Sequence, residues 1–188
     1  MRIISGKARG TKLYTLEGTN TRPTLDRVKE STFNIIQGEI EDAVILDLFA
    51  GSGAIGLECL SRGAKKAVLC DKSKEAMKII KRNIEKTHME EKTHCINDDF
   101  ETCLEKLKDE KFDIIYIDPP YETDYIFKAL KKIKEIGIVK KESLIIVETD
   151  DEQRILKDIG NIEIKIVDKR KYGRATIIFL EFRIPRKG

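Results

Sequence analysis

The sequence predicts an α/β protein with a mostly parallel, doubly wound sheet of the Rossmann-like kind. From residue 44 onward, short apolar runs alternate with stretches of helical period, and the connections between them are short. The runs at 44–49 and 113–118 are almost continuously apolar, which is typical of strands covered on both faces. Two further β-rich runs, 162–169 and 175–183, predict an antiparallel hairpin that closes the chain.

The individual elements follow from hydrophobic period and from start and stop signals. Ser73 is a good N-cap for the second helix of this region, and Gly63 is a good C-terminal stop for the first. The predicted strands cover residues 44–49, 66–71, 93–97, 112–117 and 143–148. The predicted helices between them cover residues 54–62, 73–87, 100–108, 124–135 and 151–158.

The beginning of the chain differs from this alternating region. Residues 1–20 are basic, alternate weakly and contain Gly6 and Gly10, which predicts a small β-hairpin extension. The main domain is then expected over residues 21–188. Thr24 is a plausible N-cap for an amphipathic helix that precedes the first parallel strand.

Charge and cysteine content indicate the environment and the partners. The chain has 36 Lys and Arg against 33 Asp and Glu, yet residues 1–31 and 161–188 are both net basic around a net acidic middle. Basic ends suggest contact with a polyanion, and solvated basic edges are the alternative. The four cysteines form no CxxC pair and predict buried free thiols, with no metal site. The chain has no apolar run of membrane-spanning length and no signal-peptide pattern, so we expect a soluble, cytoplasmic protein.

A glycine-rich loop follows the first parallel strand. Gly51, Gly53 and Gly56 form GxGxxG, and Asp71 ends the next strand, where it would accept hydrogen bonds from a ribose diol. Asp47 lies just before the loop. A carboxylate there repels a pyrophosphate but attracts the ammonium and sulfonium groups of S-adenosylmethionine, so this cofactor is favoured over NAD. The alternative role of Asp47 is a structural acid that caps the loop amides.

A second acidic stretch, residues 97–100, follows the third strand. An adenine edge would lie here, so Asp99 is a candidate acceptor for the adenine amine and Phe100 a candidate cover for the ring. In the other interpretation, Asp98 or Asp99 caps the helix that begins near Phe100. One residue is able to serve both purposes, and the two interpretations stay open.

The fourth strand ends in the motif Asp118-Pro119-Pro120-Tyr121. The prolines restrict the backbone at the crevice where open α/β sheets bind ligands. A base amino nitrogen is a poor nucleophile because its lone pair is delocalised into the ring. The Asp118 carboxylate and the Pro119 carbonyl would accept its two N–H bonds and free that lone pair, and Tyr121 would stack on an extruded base. The motif therefore predicts methyl transfer to an exocyclic amine, in which positioning carries most of the rate.

Together these motifs resemble a known family. Phe49–Gly53 and Asp118–Tyr121 mark class I methyltransferases that act on amino groups. Further blocks resemble the bacterial small-subunit (16S) ribosomal RNA (guanine-N2) methyltransferase family, RsmD. They are Arg2-Ile-Ile, Arg9-Gly, Lys12-Leu13, Arg22-Pro-Thr-x-Asp-Arg-Val-Lys-Glu30, Leu46–Glu58, Leu60–Gly63 and Lys171-Tyr-Gly173. The resemblance covers nearly the whole chain in the same order.

The resemblance implies a class I S-adenosylmethionine-dependent methyltransferase fold of seven strands and a guanine N2 target in ribosomal RNA or an assembling small subunit. It implies cofactor contacts from Phe49, Gly51, Gly53, Asp71 and Asp99, to which the residue analysis adds Asp47 and Phe100. It implies a target-base site at Asp118, Pro119, Pro120 and Tyr121. Candidate RNA contacts are Arg2, Lys7, Arg9, Lys12, Arg22, Arg27 and Tyr172. Two positions depart from the commoner pattern: Asp71 replaces a glutamate, and Phe100 replaces a small residue.

Three other functions are compatible with parts of the sequence. An adenine-N6 methyltransferase would use Asp118–Tyr121 equally well, because adenine also has an exocyclic amine. An NAD-dependent oxidoreductase would use the glycine loop and Asp71 but has no role for Asp118–Tyr121. A non-catalytic RNA-binding assembly factor would not need that motif. No separate target-recognition region is predicted, which favours a partner-supplied or structured RNA substrate. No obligatory protein partner is inferred.

Overall fold

The computed structural model describes residues 1–16, 23–120 and 123–183, and of residues 23–26 only the backbone. The predictions for Arg22 and Tyr121 therefore lie outside the described residues. Within the described ranges, no helix is both long enough and apolar enough to cross a membrane.

Strands and helices alternate along most of the chain. The strands are β1 (Val44–Asp47), β2 (Lys66–Cys70), β3 (Thr93–Ile96), β4 (Phe112–Ile117), β5 (Val139–Thr149), β6 (Ile164–Tyr172) and β7 (Ala175–Phe182). The helices are α1 (Pro23–Ile36), α2 (Ala54–Ser61), α3 (Lys74–Thr87), α4 (Phe100–Lys106), α5 (Tyr125–Ile136) and α6 (Glu152–Ile159). Short 3-10 turns lie at Gln37–Glu39 and Glu90–Lys92.

The seven strands form one sheet in the order β3-β2-β1-β4-β5-β7-β6. Strands β1 to β5 are parallel, and β7 runs antiparallel to both β5 and β6. The predicted mostly parallel sheet with a terminal antiparallel hairpin is thereby confirmed. The strand order reverses between β1 and β4, where Asp47 pairs with Tyr116. Such a reversal opens a crevice at the carboxyl ends of the strands.

Helices cover both faces of the sheet, which explains the almost continuous apolar character of β1 and β4. Successive strand residues point to opposite faces. Ile45 packs with Leu57 of α2 and Ile80 of α3, whereas its neighbour Leu46 packs with Leu130 of α5. The two resulting cores hold the parallel strands rigidly, so the groups at their carboxyl ends are held in fixed positions.

Several predicted boundaries are confirmed and two are wrong. Ser73 caps α3 by accepting a hydrogen bond from the Ala76 amide at 3.1 Å. Helix α1 begins at Pro23, so Thr24 lies inside the first turn and is not the N-cap. Proline suits the first helical position because its missing N–H would be unpaired there. Strand β5 begins at Val139, ahead of the predicted start, because a bulge admits polar residues that carry no strand pattern.

The N-terminal segment forms a turn with one antiparallel bridge, where the sequence predicted a hairpin. The bridge joins Arg2 to Lys12. Gly6 and Gly10 both adopt the left-handed backbone region, with φ of +82° and +84°. Three backbone hydrogen bonds join the two arms, with Ile3, Gly10 and Leu13 as the donors, and the backbone between the arms bonds to α2.

Glu58 of α2 holds the N-terminal segment against the domain. Its fully buried carboxylate accepts the N–H groups of Ile4 and Ser5 at 2.8 and 3.0 Å. It also pairs with Lys29 Nζ at 3.1 Å and with Arg62 Nε at 2.8 Å. A buried carboxylate is tolerated when donors surround it in this way. The segment is consequently joined to α1 and α2 through one charged centre.

Candidate active site

A cavity of about 570 Å³ lies at the carboxyl ends of the parallel strands. This volume is within the range of small-molecule and cofactor sites. A second cavity of about 260 Å³ lies beside it, towards α1 and the N-terminal segment. Phe49, Gly51 and Asp118 line both cavities, so the two form neighbouring halves of one crevice.

The glycine loop between β1 and α2 separates the two halves. Gly51 and Gly53 have φ of +56° and +78°, which other residues rarely adopt. A Cβ at Gly51 would meet no protein atom within 4 Å and would instead enter the crevice. A Cβ at Gly56 would lie 2.3 Å from Leu69 Cδ2, so this glycine lets α2 pack closely on β2. The loop therefore brings bare backbone to the wall of the crevice.

Asp71 anchors this loop from the end of β2. Its Oδ2 accepts the Gly51 N–H at 2.8 Å, and its Oδ1 accepts the Ser73 N–H at 2.8 Å. The residue is half-buried and lines the larger cavity. Each carboxylate oxygen retains a further lone pair, so the group is able to bind a ligand while it holds the loop.

Asp47 lies on the floor of the smaller cavity. Its carboxylate is 2% exposed and accepts one long hydrogen bond, from the Gly56 N–H at 3.4 Å. Burial raises the pKa of Asp47 to about 7 against the opposing effect of that hydrogen bond, and the Asp71 charge raises it further. A weakly bonded acid of this kind is available to a cationic ligand.

Asp118 follows β4 and faces both halves of the crevice. Among the described residues, none donates a hydrogen bond to its carboxylate. Burial raises the pKa of Asp118 well above its usual range, and the neighbouring Glu148 and Asp47 charges raise it further. Pro119 is buried and Pro120 is exposed, so the chain leaves the strand in a fixed direction. An acceptor without a donor is thus held at the centre of the crevice.

Comparison with known proteins places the chain among methyltransferases. The family described as Conserved hypothetical protein 95 matches residues 1–181. The Bacillus subtilis protein named "Putative rRNA methyltransferase YlbH" is 34% identical over 97% of this chain and 100% of its own length. The Escherichia coli protein named "Ribosomal RNA small subunit methyltransferase D" is 35% identical over 81% of this chain and 76% of its own.

This chain belongs to the family described as Conserved hypothetical protein 95. The resemblance to RsmD is confirmed, and with it the expected fold. A solved structure titled "Putative methyltransferase yhhF from Escherichia coli" is 30% identical and covers 96% of both chains with a TM-score of 0.83.

Asp99 and Phe100, two cofactor contacts predicted from the sequence, both line the larger cavity. Asp99 caps α4, because its Oδ1 accepts the Thr102 N–H at 3.0 Å and its Oδ2 the Thr102 hydroxyl at 2.7 Å. These bonds lower the pKa of Asp99. The capping interpretation is confirmed, and the adenine contact stays a prediction.

Several residues that line the crevice were not predicted as site residues from the sequence, and five of them have aromatic or charged side chains that bear on the site. They are Lys72, Tyr116, Tyr125, Lys128 and Glu148. Tyr125 stacks on Phe49 with ring centroids 6.1 Å apart and also contacts Phe100 at 5.1 Å. Glu148 interrupts an apolar strand near its carboxyl end, a signal that was available in the sequence. The other four carry no such signal, because they become neighbours only through the sheet order.

The basic residues that were predicted to contact RNA do not line the crevice. Four are in the N-terminal segment and one is in α1, all are exposed, and none lines either cavity: Arg2, Lys7, Arg9, Lys12 and Arg27. Tyr172 is half-buried, and its hydroxyl forms a hydrogen bond with Ser31 of α1. The basic residues therefore lie outside the crevice, on the N-terminal segment and α1, which border its smaller half.

Proposed function

We propose that this chain transfers a methyl group from S-adenosylmethionine to the exocyclic N2 amine of a guanine in small-subunit ribosomal RNA. The observation that carries the proposal is the Asp118 carboxylate, which faces both halves of the crevice and receives no donor among the described residues. Family membership supports the reaction class, and the names of the relatives support the RNA substrate.

The crevice fits S-adenosylmethionine better than a dinucleotide. Carboxylates outnumber ammonium groups around the larger cavity, where Lys72 and Lys128 face five acids: Asp71, Asp98, Asp99, Glu101 and Asp118. Phosphates would be repelled there, whereas a ligand with ammonium and sulfonium groups is attracted. The Gly51 position, where a Cβ would enter the crevice, leaves room for a ligand against the backbone. When bound, this cofactor supplies an electrophilic methyl group.

We assign the cofactor contacts to both halves of the crevice. Asp71 binds the ribose hydroxyls with its remaining lone pairs, and the ring of Phe100 covers the adenine, whose amine donates to Asp99. Asp47 attracts the positively charged end of the ligand. Phe49 and Gly51 line both halves and contact the ligand between them. Gly53, predicted as a contact from the sequence, lines neither cavity, and its positive φ shapes the loop instead.

We assign the target amine to the end of β4. The Asp118 carboxylate and the Pro119 carbonyl accept its two N–H bonds, which favours a pyramidal nitrogen with a free lone pair. Pro120 restricts the backbone that follows, and Tyr121 stacks on the extruded base. The excess proton leaves the nitrogen after transfer, so positioning and not a strong base supplies most of the rate.

We assign RNA binding to the exposed basic residues outside the crevice. Residues 1–20 act as an extension of the methyltransferase domain at 21–188 and carry Arg2, Lys7, Arg9 and Lys12 towards phosphates. Arg27 of α1 and Tyr172 of β6, which bonds to Ser31 of α1, extend this surface. Arg22 is assigned to RNA binding as well. The substrate is the RNA itself or the assembling small subunit in the cytoplasm.

Mass spectrometry of small-subunit RNA nucleosides, from cells with and without the gene, tests the proposal. We expect N2-methylguanosine to fall by one residue per RNA when the gene is absent. Purified protein with radiolabelled S-adenosylmethionine should then restore it, on free RNA or on subunits from the deletion strain. Loss of N6-methyladenosine instead would assign the chain to adenine, and no change in either nucleoside would overturn the proposal.

A further inference from the structure

Glu148 of β5 is a buried carboxylate with no assigned role. It is 7% exposed, and it lies near the end of a strand whose neighbouring residues are apolar. Its Oε2 accepts the Tyr116 hydroxyl at 2.9 Å. No described residue donates to its Oε1. A neutral side chain would serve Tyr116 equally well, so one hydrogen bond does not explain a carboxylate in this place.

Glu148 lies beside Asp118 at the same end of the sheet. Ile117 pairs with Val147 in the parallel register of β4 and β5, so the residues that follow, Asp118 and Glu148, are neighbours across the strands. Both line the smaller cavity. Burial raises the pKa of both acids, and the Glu148 charge raises that of Asp118 further. Two adjacent acids with raised pKa values are typical of a functional site.

The edge of a guanine base matches this pair of acceptors. Guanine has two neighbouring donor groups, the N1–H and the N2 amine. Adenine has an amine next to an N1 lone pair, which is an acceptor. Burial favours protonation of both acids, but a base that donates a hydrogen bond to each carboxylate favours the ionised forms, and ionised carboxylates only accept hydrogen bonds. Two side-by-side carboxylates are therefore complementary to guanine, and one of them would face the lone pair of adenine.

We infer that Glu148 is the residue that selects guanine, by accepting the N1–H of the target base while Asp118 accepts its N2 amine. The inference rests on the proposed function and extends it to base choice. Tyr116 is the positioning residue, because its hydroxyl donates to Oε2 and leaves Oε1 without a donor among the described residues. Charge-assisted hydrogen bonds are stronger than neutral ones, so the N1–H contact has a measurable effect on discrimination.

The test compares two RNA substrates that differ at the methylated position. One carries guanine and the other carries 2-aminopurine, which keeps the N2 amine but has no N1 proton. The kcat/KM ratio of the two is measured for the wild-type protein, Glu148→Gln, Glu148→Asp and the control Glu181→Gln. Glu181 lies on β7 and lines neither half of the crevice. Circular dichroism and thermal unfolding verify that each variant is folded.

We expect the wild-type protein and Glu181→Gln to prefer guanine by roughly 10- to 100-fold, the effect of one hydrogen bond to a charged group. In Glu148→Gln the preference should fall about 10-fold, because an amide both weakens the acceptor and offers a donor to the N1 of 2-aminopurine. In Glu148→Asp the preference for guanine should fall by a similar factor, because the shorter side chain cannot reach the base while it accepts the Tyr116 hydroxyl.

Two results would overturn the inference. One is an unchanged preference in either folded Glu148 variant. The other is equal methylation of both substrates by the wild-type protein, a measurement that needs no variant to fold. Failure of the wild-type protein to methylate guanine N2 in any RNA would instead overturn the proposed function, so the two failures are distinguishable.

Discussion

Asp71 at the end of β2 accepts the backbone N–H of Gly51 at 2.8 Å, and this bond joins the glycine loop of β1 to the neighbouring strand. The residue assigned to the cofactor ribose is thus also the residue that holds the loop in shape. Cofactor affinity and loop stability are expected to change together when it is replaced.

Asp71→Ala should weaken binding of S-adenosylhomocysteine and lower the melting temperature. Two backbone N–H groups, of Gly51 and Ser73, would lose their acceptor, at a cost of about 1–3 kcal/mol for each group that stays unpaired. Asp71→Asn keeps one oxygen and should have an intermediate effect. Calorimetry and thermal unfolding measure both quantities, and full affinity in Asp71→Ala would contradict the assignment.

The raised pKa of Asp47 predicts a pH-dependent stability. An unfolded aspartate loses its proton near pH 4, whereas Asp47 in the folded protein loses it near pH 7. Between these values the unfolded state binds fewer protons, so the free energy of unfolding should decrease as pH rises, by up to about 1.4 kcal/mol per pH unit. The effect is complete above pH 7. Urea unfolding of the wild-type protein and Asp47→Asn from pH 4.5 to 8 tests this, and parallel curves would contradict it.

The same acid predicts a pH-dependent cofactor affinity. A cationic ligand favours ionised Asp47, so binding below pH 7 should release a proton and affinity should rise as pH approaches 7. Asp47→Asn is the control, since it lacks the titrating group and should lose that part of the pH dependence. Calorimetry in buffers of different ionisation enthalpy measures the proton release. Equal release by both proteins would mean that Asp47 does not respond to the ligand.

Asp118→Ala should lower the methyl transfer rate by roughly 10²–10³, the usual effect of removing one preorganised interaction. Affinity for the cofactor should change little, because Asp118 is assigned to the base. Asp109→Ala, an exposed acid beyond α4, is the matched control and should keep full activity. Single-turnover kinetics with saturating RNA separate the rate from binding. Near-normal turnover in Asp118→Ala would remove the role given to this carboxylate.

Replacing the four basic residues of the N-terminal segment should weaken RNA binding and flatten its salt dependence. Each lost phosphate contact reduces the log–log slope by roughly 0.7–0.9. The replaced residues are Arg2, Lys7, Arg9 and Lys12. A control variant has the same charge change at exposed lysines elsewhere, Lys92, Lys108, Lys131 and Lys141. RNA-binding titrations at several salt concentrations measure the slope for each variant. An equal slope change in both variants would leave the N-terminal segment without a special role, and the basic hairpin at 169–174 would be tested next.

Gly6 and Gly10 provide a matched pair for testing how the N-terminal segment docks. Both have a positive φ, but a Cβ at Gly6 would lie 1.8 Å from the Ser61 carbonyl oxygen, whereas at Gly10 it would meet nothing within 4 Å. Gly10→Ala should cost about 1–2 kcal/mol, from backbone strain alone. Gly6→Ala should cost more and should increase amide hydrogen exchange at Ile4 and Ser5. Equal stability of the two variants would show that the close contact is relieved without loss.

Local sequence patterns were enough to predict the α/β class, most element positions and the two motifs of the crevice. Hydrophobic period and glycine position are local properties, and they act within a few residues of the chain. Two predictions from the sequence were wrong. The helix α1 starts at Pro23 and not after an N-cap at Thr24, and β5 starts earlier than predicted because a bulge admits polar residues.

Contacts between groups that are distant in the sequence depend on the order of the strands in the sheet. The strand order places β5 beside β4 and so brings Glu148 next to Asp118 and the Tyr116 hydroxyl. It also places Glu58 under the N-terminal segment, where its carboxylate accepts the N–H groups of Ile4 and Ser5. Neither contact has a periodic pattern or a fixed spacing in the sequence. Both arise because buried carboxylates are stable only where the fold supplies donors or a ligand does.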